Sequence, residues 1–273
     1  MIKVVYAGND LMFDCVFLSI LSMARRTKEP LRVYILTMDF TEKNPKFKPF
    51  NAKQAEKINE VVSKYHNDFN FEIIDTTDAY NKYLKDNANE KPAYSPFSML
   101  RLLVDEYDVF DDKLIYLDCD TMVVNDIKQM YDLDMTNLEY RAAHDYMGRF
   151  WIKKDYINSG TLLFNMKEIR KTGLLKKCCK LIREKKMYFT DQTALYKCKS
   201  SFEFYPDDEF RFNEQRDIKE NTVVKHFCKG IQYLPYFYVY NIKQTNIKKV
   251  HSFLKMHQFD EDYEIYLKEI KGE

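Results

Sequence analysis

The stretch KLIYLDCDTMVVND, Lys113 to Asp126, decides how this chain is read. An apolar run of strand length ends in two acids separated by a cysteine. Each carboxylate would be costly to desolvate unless a positive charge met it there. In an extended chain, residues two apart point to the same side, so Asp118 and Asp120 can present both carboxylates to one point while Cys119 faces away. Two readings stay open on these residues alone. The strand could run out into solvent with Asp118 or Asp120 capping the next turn, or the pair could hold a hard divalent ion together with phosphate oxygens of a ligand.

Working outward, KLIYLD is apolar on both faces, as a central parallel strand should be. IKVVYA (Ile2 to Ala7) predicts a first strand, and FDCVFLSILSMARR predicts a helix with Phe13, Val16, Phe17, Ile20, Leu21 and Ala24 on one face. LRVYILT (Leu31 to Thr37) and NFEIIDT (Asn70 to Thr76) predict further strands, with helical spacing at Ile58, Val61, Val62 and Tyr65 between them. SPFSMLRLLVDEY opens a helix with Ser95 as N-cap and Pro96 in the first turn. Such alternation predicts an α/β fold whose parallel sheet carries helices on its faces and binds ligand at the carboxyl ends of its strands.

The second half is less regular. EYRAAHDY, SGTLLFNM and TVVKHF read as strands, and LLKKCCKLIREKK and DQTALYK as helices. From Tyr236 on the alternation stops, which predicts a small C-terminal helical appendage over 236–273 beside a main domain over 1–235. Its Lys243, Lys248, Lys249 and Lys255, set among aromatics, are candidates for resting on a membrane. The loop YMGRFWIKKDY (Tyr146 to Tyr156) and the stretch DDEFRFNEQRD are candidate walls of an acceptor site.

With 43 Lys plus Arg against 42 Asp plus Glu, the 273-residue chain has a formal charge of +1, so no global field steers it to nucleic acid or an anionic membrane. The six cysteines form no C-x-x-C pair, and the N-terminus lacks a signal peptide's long apolar region. These features predict reduced thiols, a cytoplasmic protein and at most peripheral membrane contact.

Several motifs, in order and spacing from residue 2 to about 230, resemble the retaining glycosyltransferases of family 8, which include bacterial lipooligosaccharide galactosyltransferases and glycogenin. VVYAGND resembles the opening strand that holds the uridine, which implies contacts from Ala7 and Asn9. SMLRLLVDEY resembles the helix whose arginine, here Arg101, reaches the donor. YLDCDTMVVNDI resembles the D-x-D strand, implying Asp118 and Asp120 as metal ligands with Cys119 between them in the donor-binding stretch. AAHDY resembles the segment whose acid, here Asp145, touches the donor sugar. YINSGTLLFNMKEIR implies Asn158 in the sugar site and close backbone approach at Ser159-Gly160. FTDQTALY implies Asp191 and Gln192 beneath the transferred sugar, and VVKHFCKG implies His226 as third metal ligand. HFCKGIQYLP departs from the family by shifting a glycine to Gly230 and lacking the lysine that contacts the diphosphate, so Lys229 is the expected substitute.

The resemblance implies a Rossmann-like, GT-A type nucleotide-sugar-binding domain with a mixed central sheet. It implies transfer of a hexose, glucose or galactose, from a UDP-sugar to a glycan or glycolipid hydroxyl, with Mn²⁺ or Mg²⁺ and with retention. Gln192 is expected near the anomeric carbon, stabilising an oxocarbenium-like centre by its carbonyl. Two alternatives compete: a catalytically silent sugar-nucleotide-binding protein and a HAD-type phosphatase, whose nucleophile motif is also D-x-D.

Overall fold

The computed structural model describes residues 1–90, 96–232 and 238–273. Its first half alternates as expected: β1 (Ile2–Ala7), α1 (Phe13–Ala24), β2 (Leu31–Thr37), α2 (Ala52–Val62), β3 (Phe69–Asp75), α3 (Thr77–Tyr83), a 3₁₀ helix (Pro96–Glu106) and β4 (Lys113–Leu117). The second half contains β5 (Thr121–Val123), α4 (Lys128–Tyr131), β6 (Tyr140–His144), α5 (Gly148–Trp151), β7 (Ile157–Asn165), α6 (Met166–Thr172), α7 (Leu174–Glu184), α8 (Thr190–Cys198) and β8 (Phe202–Phe204). It closes with β9 (Val224–His226), β10 (Gly230–Gln232), β11 (Tyr238–Tyr240), α9 (Ile247–Ser252) and α10 (Asp260–Tyr266).

Seven strands form the central sheet in the order β3-β2-β1-β4-β7-β6-β8. The expected parallel pairing holds from β3 to β4, where crossover helices return the chain. β7 then runs antiparallel to both β4 and β6, so the sheet is mixed, as the resemblance implies. β1, β4 and β7 are buried almost throughout because helices cover both faces, and their sequences are correspondingly apolar. Two apolar cores result, one packed under α1 and α2 and the other under the 3₁₀ helix, α7 and α8.

Local chemistry fixes the boundaries. Asn51 and Gln54 form a reciprocal capping box at the start of α2. Gly173, at φ +68°, breaks α6 from α7 in the left-handed conformation that glycine adopts without penalty. The segment expected as an ordinary helix after Pro96 winds as 3₁₀, and its expected N-cap, Ser95, lies outside the described residues. So does the expected boundary at 235 and 236.

The C-terminal segment is helical, and its apolar face belongs to the same core as α1. Tyr266 packs against Phe17 with ring centroids 6.0 Å apart, and fully buried Asp262 accepts from Arg25 at 2.6 Å and forms an ion pair with Arg26 at 2.9 Å. No helix among the described residues is long and apolar enough to cross a membrane.

Candidate active site

β4 delivers Asp118 and Asp120 to the carboxyl end of the sheet, where the Asp118 N–H donates to the Gly160 carbonyl at 2.8 Å. The chain then turns into β5, which pairs antiparallel with β9 outside the main sheet and sets Thr121 opposite His226. The Phe227 N–H donates to the Asp120 carbonyl at 2.7 Å and locks this ladder to the acid-bearing turn. Two three-residue strands thereby carry His226 to side chains over a hundred positions earlier.

Each carboxylate is held by one oxygen and presents the other. Asp118 Oδ1 accepts from Arg101 Nη2 at 2.7 Å and from the Tyr116 hydroxyl at 2.8 Å. Asp120 Oδ2 accepts from Lys243 Nζ, which also donates to the Phe227 carbonyl at 3.0 Å. The remaining oxygens face His226 Nε2, Asp120 Oδ1 at 3.2 Å and Asp118 Oδ2 at 3.8 Å. His226 Nδ1–H donates to Asn213 Oδ1 at 3.1 Å, so Nε2 is the nitrogen turned toward the carboxylates, able to donate to them when the ring is protonated and to ligate an ion when it is neutral. The three ligand atoms lie within 4.8 Å of one another. Two hard oxygens and one imidazole nitrogen are a donor set that fits a divalent ion such as Mn²⁺ or Mg²⁺.

The electrostatics match this layout. Burial alone would push the Asp120 carboxyl up, but His226 and Lys243 outweigh it and hold the group well below the usual carboxylate range. Burial likewise works to lower Arg101, and the Asp118 and Asp191 charges more than reverse that. Gly160 is required by sterics, since a Cβ there would overlap the His226 ring.

Above these groups opens a cavity of about 590 Å³, in the range of small-molecule sites. Asp118, Asp120, Asp145, Asn158, Gln192 and His226 all line it, with Lys229 and Gly230 on its wall. A chain of amides links its floor: Asn213 Nδ2 donates to Asn158 Oδ1 at 2.9 Å, and Asn158 Nδ2 to Asp145 Oδ2 at 2.9 Å. Gln192 Oε1 accepts from the Ser159 N–H at 3.0 Å and hydroxyl at 3.2 Å, so the carbonyl expected to face a sugar is engaged with backbone, and its amide Nε2 turns to Asp145 Oδ2 at 3.4 Å.

The other sequence candidates sit behind or beside the cavity. Asp191 is paired with Arg101 Nε at 3.1 Å and with the Ser98 hydroxyl at 3.1 Å. Ala7 and Asn9 lie buried at the end of β1, and the Cys119 thiol donates to the Ala7 carbonyl at 3.3 Å. None of these four, nor Arg101, lines the cavity.

Lys243 departs from the tail lysines expected to meet a membrane: its ammonium is committed to Asp120, and Gln244 beside it donates to the Cys119 carbonyl at 2.7 Å. Sequence reasoning missed Lys243, Gln244, Asn213 and Tyr116 as parts of the site. Only Tyr116 carried a signal, since it shares with Asp118 the same side of an extended chain.

With this geometry in hand, the model for "Glycosyl transferase family 8" matches residues 4–232. The chain belongs to that family. It is therefore a glycosyltransferase, which removes the phosphatase alternative. The transferase is 26% identical over 215 residues to General stress protein A of Bacillus subtilis, covering 67% of this chain and 71% of that protein. It is 27% identical over 184 residues to Glycosyltransferase GlyA of Streptococcus pneumoniae, covering 66% of this chain but 23% of that longer protein. In fold it is similar to LgtC. An active-site mutant of LgtC superposes with a TM-score of 0.69 at 15% identity, covering 97% of this chain and 95% of that one. LgtC in complex with donor and acceptor sugar analogs superposes with 0.64, also at 15% identity and with the same coverage.

Proposed function

We propose that the transferase moves a hexose, glucose or galactose, from a UDP-sugar to a hydroxyl of a cell-surface glycan or glycolipid, with retention at the anomeric carbon. The observation that carries this reading is the convergence of Asp118 Oδ2, Asp120 Oδ1 and His226 Nε2 at the floor of the cavity. These three would hold Mn²⁺ or Mg²⁺, which when bound supplies Lewis-acid neutralisation of the charge on the departing diphosphate.

The chain's own residues prepare that moment. Arg101 and Tyr116 fix Asp118, Lys243 fixes Asp120, and Asn213 fixes the His226 tautomer, so the donor set needs little rearrangement. Lys243 also brings a positive charge beside the carboxylates, and so fills the place of the missing family lysine better than Lys229, which is exposed on the cavity wall. Asp145 and Asn158 would accept from and donate to sugar hydroxyls, and Gln192 would set Asp145 through its amide. Asp191 would act through Arg101.

The acceptor oxygen attacks C1 from the face that the diphosphate leaves. The C1–O bond to phosphate breaks with its electron pair on the phosphate oxygen, and that oxygen takes the acceptor's proton. A covalent intermediate on Gln192 is disfavoured, because its amide is weakly nucleophilic and its oxygen is already engaged. The main domain, 1–235, would supply the donor site, and the appendage, 236–273, would complete it through Lys243. The enzyme would work in the cytoplasm, at most peripherally on the membrane, and without nucleic acid.

Release of UDP from UDP-glucose and UDP-galactose, with and without Mn²⁺, tests this reading. Metal-stimulated release from one of them is expected. Binding of UDP without release, across both donors and a broad acceptor panel, would leave the silent binding protein instead.

A further inference from the structure

The mouth of the cavity differs in character from its floor. Among the described residues, twelve large hydrophobic side chains are exposed, and seven of them stand on three segments around this one opening. Phe150, Trp151 and Ile152 are 68%, 77% and 48% exposed, and Tyr188 is 83% exposed beside Phe189, while Tyr238 and Val239 top the third segment. Trp151, Ile152, Phe189 and Val239 line the cavity itself, so the segments share one rim. Patches of this kind mark a surface that meets a partner.

Charge selects the partner. The rim segments RFWIKK (149–154), KKMYF (185–189), CKGIQ (228–232) and YVYNIK (238–243) hold seven Lys or Arg and no Asp or Glu, in a chain whose net charge is +1. Arg149 is stacked among Tyr146, Phe150 and Phe210, and Lys243 is bound to Asp120. The other five, Lys153, Lys154, Lys185, Lys186 and Lys229, are exposed beside the apolar side chains, with Lys153 also 3.9 Å from Asp155 just beyond its segment. Exposed Trp and Tyr flanked by lysines have the composition of a membrane interface. Aliphatic Ile152 and Val239 offer no flat face for stacking on a sugar ring, but they fit acyl chains.

We infer that the rim of the cavity docks on an anionic lipid bilayer, which sets the site's opening against the membrane surface and makes a membrane-anchored glycan the acceptor class. The docking stands on the rim alone, whereas the acceptor class rests on the transfer reaction proposed above. UDP release in solution therefore reports on that reaction independently.

Trp151 is the chain's only tryptophan, so wild-type protein carries its own probe. With equimolar phosphatidylglycerol and phosphatidylcholine vesicles, Trp151 emission should shift to the blue, be quenched by brominated acyl chains, and recover in high salt. Pure phosphatidylcholine vesicles should leave it nearly unchanged. Lys153→Gln with Lys154→Gln should raise the lipid concentration for half-binding about 30-fold, and Tyr188→Ser should weaken binding further, both with UDP release in solution preserved. Unchanged emission at saturating anionic lipid, equal binding to neutral vesicles, or an emission shift produced by soluble oligosaccharide instead of lipid would each overturn the inference.

Discussion

Asp105 and Asp120 are both withdrawn from water, and they titrate in opposite directions. At the end of the 3₁₀ helix, burial pushes the Asp105 carboxyl up to about 6, neighbouring Glu106 adds to the rise, and Lys176 and Arg170 offset little of it. At the end of β4, burial acts on Asp120 in the same sense, but an imidazole and an ammonium placed against its two oxygens reverse the outcome. The difference lies in what the fold brings to each acid. Asp105 receives no close cation, whereas Asp120 receives His226 through a two-stranded ladder and Lys243 from the tail.

The largest effect expected from breaking this contrast is at Asp120 itself. Asp120→Ala should lower metal-dependent UDP release by ~10³-fold or more, since it removes one presented oxygen and leaves Lys243 without its anion. Steady-state assays across a Mn²⁺ series measure it, and turnover within a factor of a few of wild type would count against the site.

Next is Gly160→Ala, which should act through His226 without touching either acid. The added methyl displaces the imidazole, so activity and Mn²⁺ affinity should fall together by roughly 10²-fold.

Lys243→Ala sharpens the electrostatic half of the comparison. Lys243 is one of the groups that hold Asp120 low, so its loss raises that carboxyl and the acid limb of the pH–activity profile should move to higher pH. A loss of about tenfold in rate is expected beside the shift. A lower rate with an unmoved acid limb would show that Lys243 does not set the state of Asp120.

The smallest effect is at the other acid and concerns stability alone. Because the folded state holds the Asp105 proton more tightly than the ordinary carboxyl at 3.8, stability falls as pH rises through the interval up to about 6 and stays lower above it. Asp105→Asn should therefore stabilise the protein by about 1–3 kcal/mol at neutral pH and by almost nothing below the ordinary value. Denaturant midpoints at the two pH extremes measure the difference.

The parallel half of the sheet was legible because β1, β2 and β4 carry the apolar runs VVYA, VYIL and LIYL after a single basic residue near their starts, and α1 keeps a helical apolar spacing over three turns. The D-x-D pair was legible because two acids after such a run demand a counter-charge. β5 and β9, three residues each, are too short to announce a ladder, although that ladder sets where His226 lies. Lys243 could not be read at all. Its partner is 123 positions away, and in sequence it looks like one more lysine of a basic tail. Asn213 was hidden similarly, in a stretch read as an acceptor wall, because which amide meets an imidazole depends on how a loop closes.

An electron paramagnetic resonance titration of Mn²⁺ in the presence of UDP, on wild type and on His226→Ala, tests the shared-ion site most directly. The arrangement of Asp118, Asp120 and His226 predicts one tightly held ion per wild-type chain and an affinity at least about tenfold weaker in the variant. Equal affinity in the two proteins would show that the imidazole is no ligand and that the two acids serve some other end.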